Sequence, residues 1–532
     1  MLEGLPMKLL SLCPLVFAAA FAFAPLARAQ DAKSTLIVAG PRTPESLELE
    51  YPATEAVHEA RKNIYERLLG YAMKTNPDGI QIEDFDHLVG ALAESWEVSP
   101  DRTSITFHLA KAKAFNGDEL TADDVMWTFK RGWEIKGTFY WYMHQMLKID
   151  DFDKAFSKID DHTVKVTLPG TSPLIERLWV NNDLGIIDAT EAKKHITSAD
   201  PQAQTWLSTH TASFAPYQVT AFTPGREVVY EANPNYYRGA PKLKKILFRE
   251  MPASANRVAA LQAGSIDVAE WLLPRELNLL KTAPGVKVWT VYGNYIHRVD
   301  INNAVAPFTD VRVRQALNYL VPRDQISKSV YFGTARETKS PVSEIYPGYD
   351  PEFFKYTYDV DKAKALLKEA GLENGFKTTL GYRTGDEIEE QIAVILKTNF
   401  AKAGIDVELQ KMPSSNLVDK YTKGEIPMYF LRDMAIVPDA AYVTNLWLNS
   451  HSMVDYSRFK NDEVDKLIDK NLTATDEPAR IADMKKAQEI IVDQAPWVFL
   501  FNPGYQLATR SDVEGVSWYT PNGNAWYDFY KK

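Results

Sequence analysis

A run of forty residues, from Leu92 to Arg131, constrains the fold of this chain more than any other stretch. Its first part alternates apolar and polar residues, as a half-buried strand does. A turn signal at Asn116-Gly117-Asp118 follows, and Thr121 precedes Asp124 by three residues, which is the spacing of a helix capping box. The run therefore predicts a strand, a tight turn and a capped amphipathic helix.

The first 29 residues predict a cleavable export signal. Lys8 precedes an almost wholly apolar stretch from Leu9 to Ala24, and Ala27-Arg28-Ala29 supplies the small residues that a signal peptidase recognises. The only cysteine, Cys13, lies in this segment, so the mature chain can form neither a disulfide nor a thiolate metal site. We therefore expect an exported protein that is free in the periplasm.

Length and charge restrict the class of protein further. A chain of 532 residues is too long for one hydrophobic core, so two or three compact units are expected. The formal charge of -10, with acidic and basic residues interspersed, disfavours nucleic acid or an anionic membrane as a partner. An aromatic content of 12% suits a large core together with a lined cavity.

Several segments, in order along the chain, resemble the substrate-binding proteins of peptide-type ABC importers. The run from Leu92 to Arg131 is close to a characteristic sequence of that family. Five more segments carry the resemblance: NIYERL (63–68), IDDHTVKVTL (159–168), ALQAGSIDVA (260–269), PFTDVRVRQAL (307–317) and DVDKAKALLKEAGL (359–372). Together they cover nearly all of the chain that follows the export signal.

The resemblance implies an α/β fold, namely the two-lobed type II periplasmic binding protein fold with mixed sheets and an extra domain inserted in the first lobe. Transferred by the matched segments, residues 31–65, 189–291 and 501–532 form the first lobe. Residues 66–188 form the extra domain and residues 292–500 the second lobe. The implied function is a monomeric receptor that captures a peptide or peptide-like small solute by lobe closure and delivers it to a membrane ABC permease.

The resemblance also implies where the ligand is held. In peptide-binding members, an Asp of the second lobe pairs with the free α-amino group of the ligand. The matching segment here runs from Tyr429 to Ala440, but it does not keep the family's spacing between Asp and Pro. Asp433 is therefore the first candidate for the amine anchor and Asp439 the second. Arg432 is a candidate for holding a carboxylate or phosphate of the ligand through a bidentate contact.

Four further candidates rest on position alone. Tyr140 and Trp141 belong to an aromatic cluster at residues 139–142, where the extra domain of relatives approaches the cleft. They either line the ligand site or pack within that domain. Glu55 and His58 fall near the first-lobe loop that contacts ligand in relatives.

A secreted hydrolase acting on a peptide or glycan is the alternative. His58-Glu59 begins like a zinc-protease helix, but Lys62 stands where the second His is required. Residues 457–460 fit S-x-x-K without its companion motifs, and no G-x-S-x-G, phosphate loop or G-x-G-x-x-G occurs. We therefore expect a binding protein without catalysis, cofactor or bound metal. A non-peptide solute, such as an opine, an oligosaccharide or a nickel chelate, stays open as its ligand.

Overall fold

The computed structural model describes residues 33–52, 54–520 and 523–532. The export signal expected at residues 1–29 lies outside the described residues and stays a prediction. Among the helices of the described part, none combines the length and the apolar character that crossing a membrane requires.

The strands of the described part are, in chain order, β1 (Thr35–Gly40), β2 (Leu69–Thr75), β3 (Gln81–Gly90), β4 (Ala93–Val98), β5 (Ser104–Leu109), β6 (Phe156–Asp160), β7 (Thr163–Thr167), β8 (Tyr217–Thr223), β9 (Glu227–Ala232), β10 (Lys245–Glu250), β11 (Val268–Glu270), β12 (Val286–Val291), β13 (Tyr295–Ile301), β14 (Arg336–Glu337), β15 (Phe376–Arg383), β16 (Ile405–Met412), β17 (Met428–Met434), β18 (Trp497–Asn502), β19 (Tyr505–Arg510), β20 (Val513–Glu514), β21 (Ser517–Tyr519), β22 (Gly523–Asn524) and β23 (Tyr530–Lys531).

The α-helices are α1 (Glu55–Ile64), α2 (Ala122–Ile135), α3 (Thr138–Trp141), α4 (Phe152–Ala155), α5 (Ala189–Ala192), α6 (Gln204–Leu207), α7 (Ser254–Gln262), α8 (Pro274–Leu280), α9 (Val311–Tyr319), α10 (Arg323–Ser329), α11 (Val360–Glu369), α12 (Glu387–Ala401), α13 (Ser414–Lys423), α14 (Ala440–Leu448), α15 (Asp462–Asn471) and α16 (Glu477–Gln494). A π-helical turn covers Tyr142–Met146, and 3₁₀ turns cover Arg177–Val180, Asn182–Leu184 and Lys193–His195.

Two large mixed sheets organise the fold. The first has the strand order β12-β19-β11-β1-β10-β9-β8, and the second has the order β14-β18-β13-β17-β15-β16. In the first sheet β1 runs parallel to β10, with Thr35 opposite Lys245. In the second sheet β13 runs antiparallel to β17, with Ile296 opposite Asp433. The smaller sheets are β4-β5-β7-β6, β2-β3-β21-β22 and β20-β23.

The second sheet shares a hydrophobic core with the helices packed on it. Val299, Leu380 and Phe430 from its strands are buried in one cluster with Leu317 of α9 and Ile392 of α12. Burial of these side chains stabilises the sheet by the removal of apolar surface from water. Strand β17 is buried from residue 428 to residue 431, whereas its last three residues are partly exposed. The core therefore fixes the strand, and the end of the strand projects toward the cleft described below.

Two short connectors carry the chain between the large sheets. Residues 292–294 join β12 to β13, and residues 503–504 join β18 to β19. The side-chain amide of Asn502 donates a hydrogen bond of 2.8 Å to the carbonyl of Gly293, so the connectors lie side by side. A Cβ at residue 293 would lie 2.3 Å from Cζ2 of Trp518, and glycine is therefore required for this close approach.

The local predictions for Leu92 to Arg131 are largely confirmed. The N–H of Thr121 donates to the Asp124 carboxylate at 2.8 Å, which forms the predicted capping box of α2. The single predicted strand is wrong, because two antiparallel strands, β4 and β5, form there. Apolar residues at helical spacing around Ile64, Leu68 and Leu69 also predict a helix from residue 53 to residue 71. That prediction is wrong, because α1 ends at Ile64 and β2 starts at Leu69, where it pairs with β3.

The predicted domain borders coincide with the limits of most but not all sheets, and they stay a prediction. Strands of the first large sheet fall within 31–65, 189–291 and 501–532, and the four strands β4 to β7 fall within 66–188. The second sheet falls within 292–500 except for residues 501–502 at the end of β18. The sheet β2-β3-β21-β22 joins strands from the predicted extra domain and the predicted first lobe.

Two buried ion pairs connect those two predicted units. Arg61 of α1 donates to the Asp183 carboxylate at 2.7 Å, and the side chains are 0% and 2% exposed. Arg131 of α2 makes a bidentate contact with Glu48, at 2.8 and 2.5 Å. Such pairs fix relative position, because removal of either partner leaves an uncompensated buried charge.

Candidate functional site

A cavity of about 950 Å³ lies between the two large sheets, and we call it the main cavity. The first-sheet side contributes residues 41–42, 54–55, 58 and 271, and the second-sheet side contributes residues 295, 383–386, 414 and others between 432 and 456. Trp141 and Tyr142 come from the predicted extra domain. The volume lies at the upper end of the usual range for small-molecule sites, so a solute of several linked groups fits.

Aromatic side chains form much of the wall of the main cavity. They are Trp141, Tyr142, Trp271, Tyr295, Tyr442, Trp447 and Tyr456. Aromatic rings provide large contact areas at a low cost in side-chain entropy, and their faces attract cations. This wall suits an organic solute with an apolar body and charged ends.

Asp433 lies at the end of β17 and lines the main cavity. Its side chain is 33% exposed, and the Arg298 guanidinium, at 3.9 Å, is its cationic neighbour. One carboxylate oxygen accepts a hydrogen bond of 2.8 Å from the N–H of Met434. Burial raises the pKa of Asp433 to about 6, although the attraction of Arg298 opposes the rise. Arg298 and a hydrogen bond from the Trp447 side chain thus compensate the carboxylate only in part.

Arg298 already has a closer partner than Asp433. Its Nε donates to Asp300 at 2.6 Å, and its guanidinium lies between the rings of Trp447 and Trp497, at 4.7 and 4.3 Å from their centroids. Because Arg298 pairs mainly with Asp300, the net charge around Asp433 is negative. A ligand ammonium placed there would restore neutrality.

Arg432 also lines the main cavity, but it has carboxylate partners within the protein. It forms an ion pair with Asp386, and its Nε lies 3.8 Å from Glu389. Arg383 in turn forms an ion pair with Glu389. Two guanidinium groups and two carboxylates thus balance one another along this side of the cavity. A ligand carboxylate that contacts Arg432 would therefore share this guanidinium with the carboxylate of Asp386.

Arg42 is the guanidinium in the cavity wall without a carboxylate partner among the described residues. It is exposed and lies on the first-sheet side, across the cavity from Asp433. Glu55 and His58 also line the cavity, and Nδ1 of His58 lies 3.5 Å from a carboxylate oxygen of Asp183. The two sides of the cavity thus present a partly compensated carboxylate, Asp433, and a guanidinium, Arg42, that has no carboxylate partner among the described residues.

Two of the predicted site residues do not line the main cavity. Asp439 is 3% exposed, accepts a hydrogen bond from the N–H of Tyr442 as the N-cap of α14, and forms an ion pair of 2.7 Å with Arg480. Tyr140 packs edge-to-face on Trp133 and stacks on His144. Asp439 thus caps a helix and pairs with an arginine, and Tyr140 packs on neighbouring rings. The other predicted site residues come together around the cavity, namely Arg432, Asp433, Trp141, Glu55 and His58.

Sequence reasoning missed several residues of the cavity wall, including Arg42, Trp271, Tyr295, Arg383 and Asp386. One usable signal was the polar segment 383–386 at the end of β15, which contains Gly385 with a φ of 86°. Ends of neighbouring strands in one sheet meet at one edge, so a polar turn there favours a site. Within the described residues, no group of three or more His, Cys, Asp or Glu side chains is arranged to hold a metal ion.

The sequence of this chain matches those of known solute-binding proteins. The family model for bacterial extracellular solute-binding proteins, family 5 Middle, matches residues 87–454. A curated relative, the probable D,D-dipeptide-binding periplasmic protein DdpA of Escherichia coli K12, is 29% identical over 497 residues. The match covers 92% of this chain and 93% of that protein.

Solved structures show the same fold. The periplasmic binding protein DppA from Helicobacter pylori, in complex with the peptide STSA, superposes with a TM-score of 0.79 at 25% identity, covering 94% of this chain and 99% of that one. MoaA from A. tumefaciens R10, in complex with mannopinic acid, superposes with a TM-score of 0.76 at 26% identity, covering 94% and 100% of the two chains. The two-lobed fold of type II periplasmic binding proteins is thereby confirmed.

Proposed function

We propose that this chain, which belongs to the bacterial extracellular solute-binding proteins of family 5, captures a short peptide or a peptide-like amino-acid conjugate with a free amine. The observation that carries the proposal is the position of Asp433. It is a partly exposed carboxylate in an aromatic-walled cavity, and its cationic neighbour Arg298 is already paired with Asp300. A ligand ammonium is the group that this arrangement lacks.

The positive charge of Arg42, on the other side of the cavity from Asp433, supports a ligand that carries both an ammonium and a carboxylate. We infer that Arg42, on the first-sheet side, receives the carboxylate of the ligand, with Arg432 as a second contact. Arg–carboxylate contacts are frequently bidentate, which fixes orientation as well as charge. A peptide held in this way would contact both sides of the cleft at once.

Contact with both sides gives a mechanism for closure. A ligand shifts an equilibrium between open and closed states only by its differential affinity for them. Bridging Asp433 and Arg42 stabilises the closed state, and the connectors at 292–294 and 503–504 are the segments that would bend. The closed form would then dock on a membrane ABC permease. Relatives named as periplasmic binding proteins support this, and so does the export signal predicted at residues 1–29.

Native mass spectrometry tests the proposal on protein purified from the periplasm under mild conditions. We expect a bound molecule with the mass of a short peptide or amino-acid conjugate, released on denaturation. The Asp433→Asn variant should retain much less of it, whereas Asp419→Asn, at an exposed ion pair with Lys423, should retain it fully. Ligand-free wild-type protein, together with no thermal shift across a library of dipeptides, tripeptides and conjugates, would contradict the proposal.

A further inference from the structure

A second, smaller cavity of about 140 Å³ opens beside the main cavity, and we call it the acidic side cavity. Its floor contains the carboxyls of Glu59 and Glu270, and its walls include the rings of Tyr230, Phe248, Trp271 and Trp526. Arg42, Glu55, Trp271 and Arg432 line both cavities, so the two spaces are continuous. A solute held in the main cavity can therefore extend a side chain into the acidic side cavity.

The two carboxyls are buried together. Glu59 is 5% exposed and Glu270 is 1% exposed, and they lie within hydrogen-bonding reach of one another. Glu270 also accepts a hydrogen bond of 2.7 Å from the side-chain amide of Asn524. The Glu59 atom Oε1 is buried with no hydrogen-bond partner, as is the indole N–H of Trp526, which is 1% exposed. Unpaired buried polar atoms are costly and need an explanation.

Trp271 marks the junction of the cavities. Its backbone has a φ of 50°, in the left-handed region that bulky residues rarely adopt. Such backbone conformations cost free energy and persist mainly where the surrounding structure and function require them. Here the conformation places the indole in the walls of both cavities.

We propose that the acidic side cavity is a subsite for an alkylammonium side chain of the ligand, of the lysine or ornithine type, received by the Glu59–Glu270 pair. Aromatic faces and carboxylates together are the usual surroundings of a bound organic cation. A cavity of about 150 Å³ holds a molecule of the size of benzene, so four methylenes and an ammonium fit the available space. This inference rests on the proposed function, because the main chain of the ligand must occupy the main cavity.

The raised pKa values of the two carboxyls are consistent with this role. Burial raises the pKa of both carboxyls, and the repulsion between them adds to the rise at Glu59. The pair therefore retains a proton near neutral pH, and binding of an ammonium would release that proton to solvent. The other titratable or charged groups around the pair are Glu55, Arg42 and Arg432 at the mouth and Arg257, Tyr230 and Tyr505 behind it.

Isothermal titration of four dipeptides tests the subsite: Lys-Ala, Ala-Lys and their norleucine analogues. Norleucine lacks only the side-chain ammonium of lysine and keeps the α-amino group. We expect at least one lysine peptide to bind ten times more tightly than its norleucine partner, with release of a proton that shows as a dependence of the heat on the buffer. In Glu59→Gln and in Glu270→Gln, the affinity of the lysine peptide should exceed that of its norleucine partner by less than about threefold. The control variant Glu94→Gln, at an exposed carboxylate, should keep the tenfold preference for the lysine peptide.

The outcomes separate the two proposals. Equal affinities within both peptide pairs, or a lysine preference that persists in folded Glu59→Gln and Glu270→Gln, would overturn the subsite and leave the proposed function standing. Failure of all four dipeptides to bind the wild-type protein would also overturn the subsite, whereas native mass spectrometry and the library of dipeptides, tripeptides and conjugates decide the proposed function separately. Thermal melting of each variant identifies any that does not fold, and the two single variants provide independent tests.

Discussion

The Asp433→Asn variant should bind a free-amine dipeptide at least ten times more weakly than the wild-type protein, a loss of about 1.4 kcal/mol. The amide keeps the shape of the side chain but removes the charge that would pair with the ligand ammonium. Arg298 then lies near a bound cation with one carboxylate fewer to offset it. Isothermal titration calorimetry measures the effect, with Asp419→Asn as the matched surface control.

The pH dependence of the same binding provides a second readout. Because burial raises the pKa of Asp433 to about 6, the carboxylate is ionised at pH 7 and increasingly protonated below pH 6. An ammonium binds the ionised form, so affinity should fall as the pH is lowered, by up to about tenfold per pH unit below 6. The Asn variant should lack this contribution. Equal affinity and an equal pH profile in wild type and variant would remove Asp433 from the site.

The Asp183→Ala variant should lose about 3–5 kcal/mol of unfolding free energy, because the Arg61 guanidinium remains buried without its carboxylate. Arg61 is 0% exposed, and its other hydrogen bonds go to the backbone carbonyls of Glu48 and Tyr51. Although burial opposes it, the nearby His58 and Arg61 hold the pKa of Asp183 below its usual range, so the carboxylate is ionised at neutral pH. Urea denaturation followed by circular dichroism measures the loss.

Two further variants separate a buried unpaired charge from a simple loss of packing. Asp419→Ala breaks an exposed ion pair with Lys423, so it should cost less than about 1 kcal/mol. Adding Arg61→Met to Asp183→Ala should recover part of the lost stability, because the uncompensated charge is then gone. A loss below about 1 kcal/mol for Asp183→Ala alone would show that the pair does not hold these two parts of the chain together.

Local structure was predictable because its determinants are close in sequence. The capping box of α2 needs only Thr121 and Asp124, and both the residue types and the spacing are visible in the chain. The helix predicted to continue to residue 71 failed because helical spacing of apolar residues around Leu68 was outweighed by pairing of β2 with β3. Tertiary pairing of this kind has no local signal.

The cavity was only partly predictable for the same reason. Asp433 was found through resemblance, but its charge balance depends on Arg298 and Asp300, which lie far away in the chain. Asp439 illustrates the opposite case. An Asp that follows a Pro and precedes an apolar helix is a typical N-cap signal, and the N-cap of α14 is where the structure uses it.

The Glu59–Glu270 pair had no sequence signal at all. Glu59 lies on the buried face of α1 and Glu270 at the end of β11, more than two hundred residues later. Each residue alone is an ordinary carboxylate, and only the packing of helix against sheet brings the two together. Chemistry that depends on such a juxtaposition must be read from the structure.

The most direct test of the account compares one dipeptide with its N-acetylated form by isothermal titration against the wild-type protein. Acetylation removes the ammonium and leaves the rest of the main chain unchanged. The account predicts that the acetylated peptide binds at least ten times more weakly than the free one, and that this difference disappears in Asp433→Asn. Equal binding of the free and acetylated peptides to the wild-type protein would contradict it.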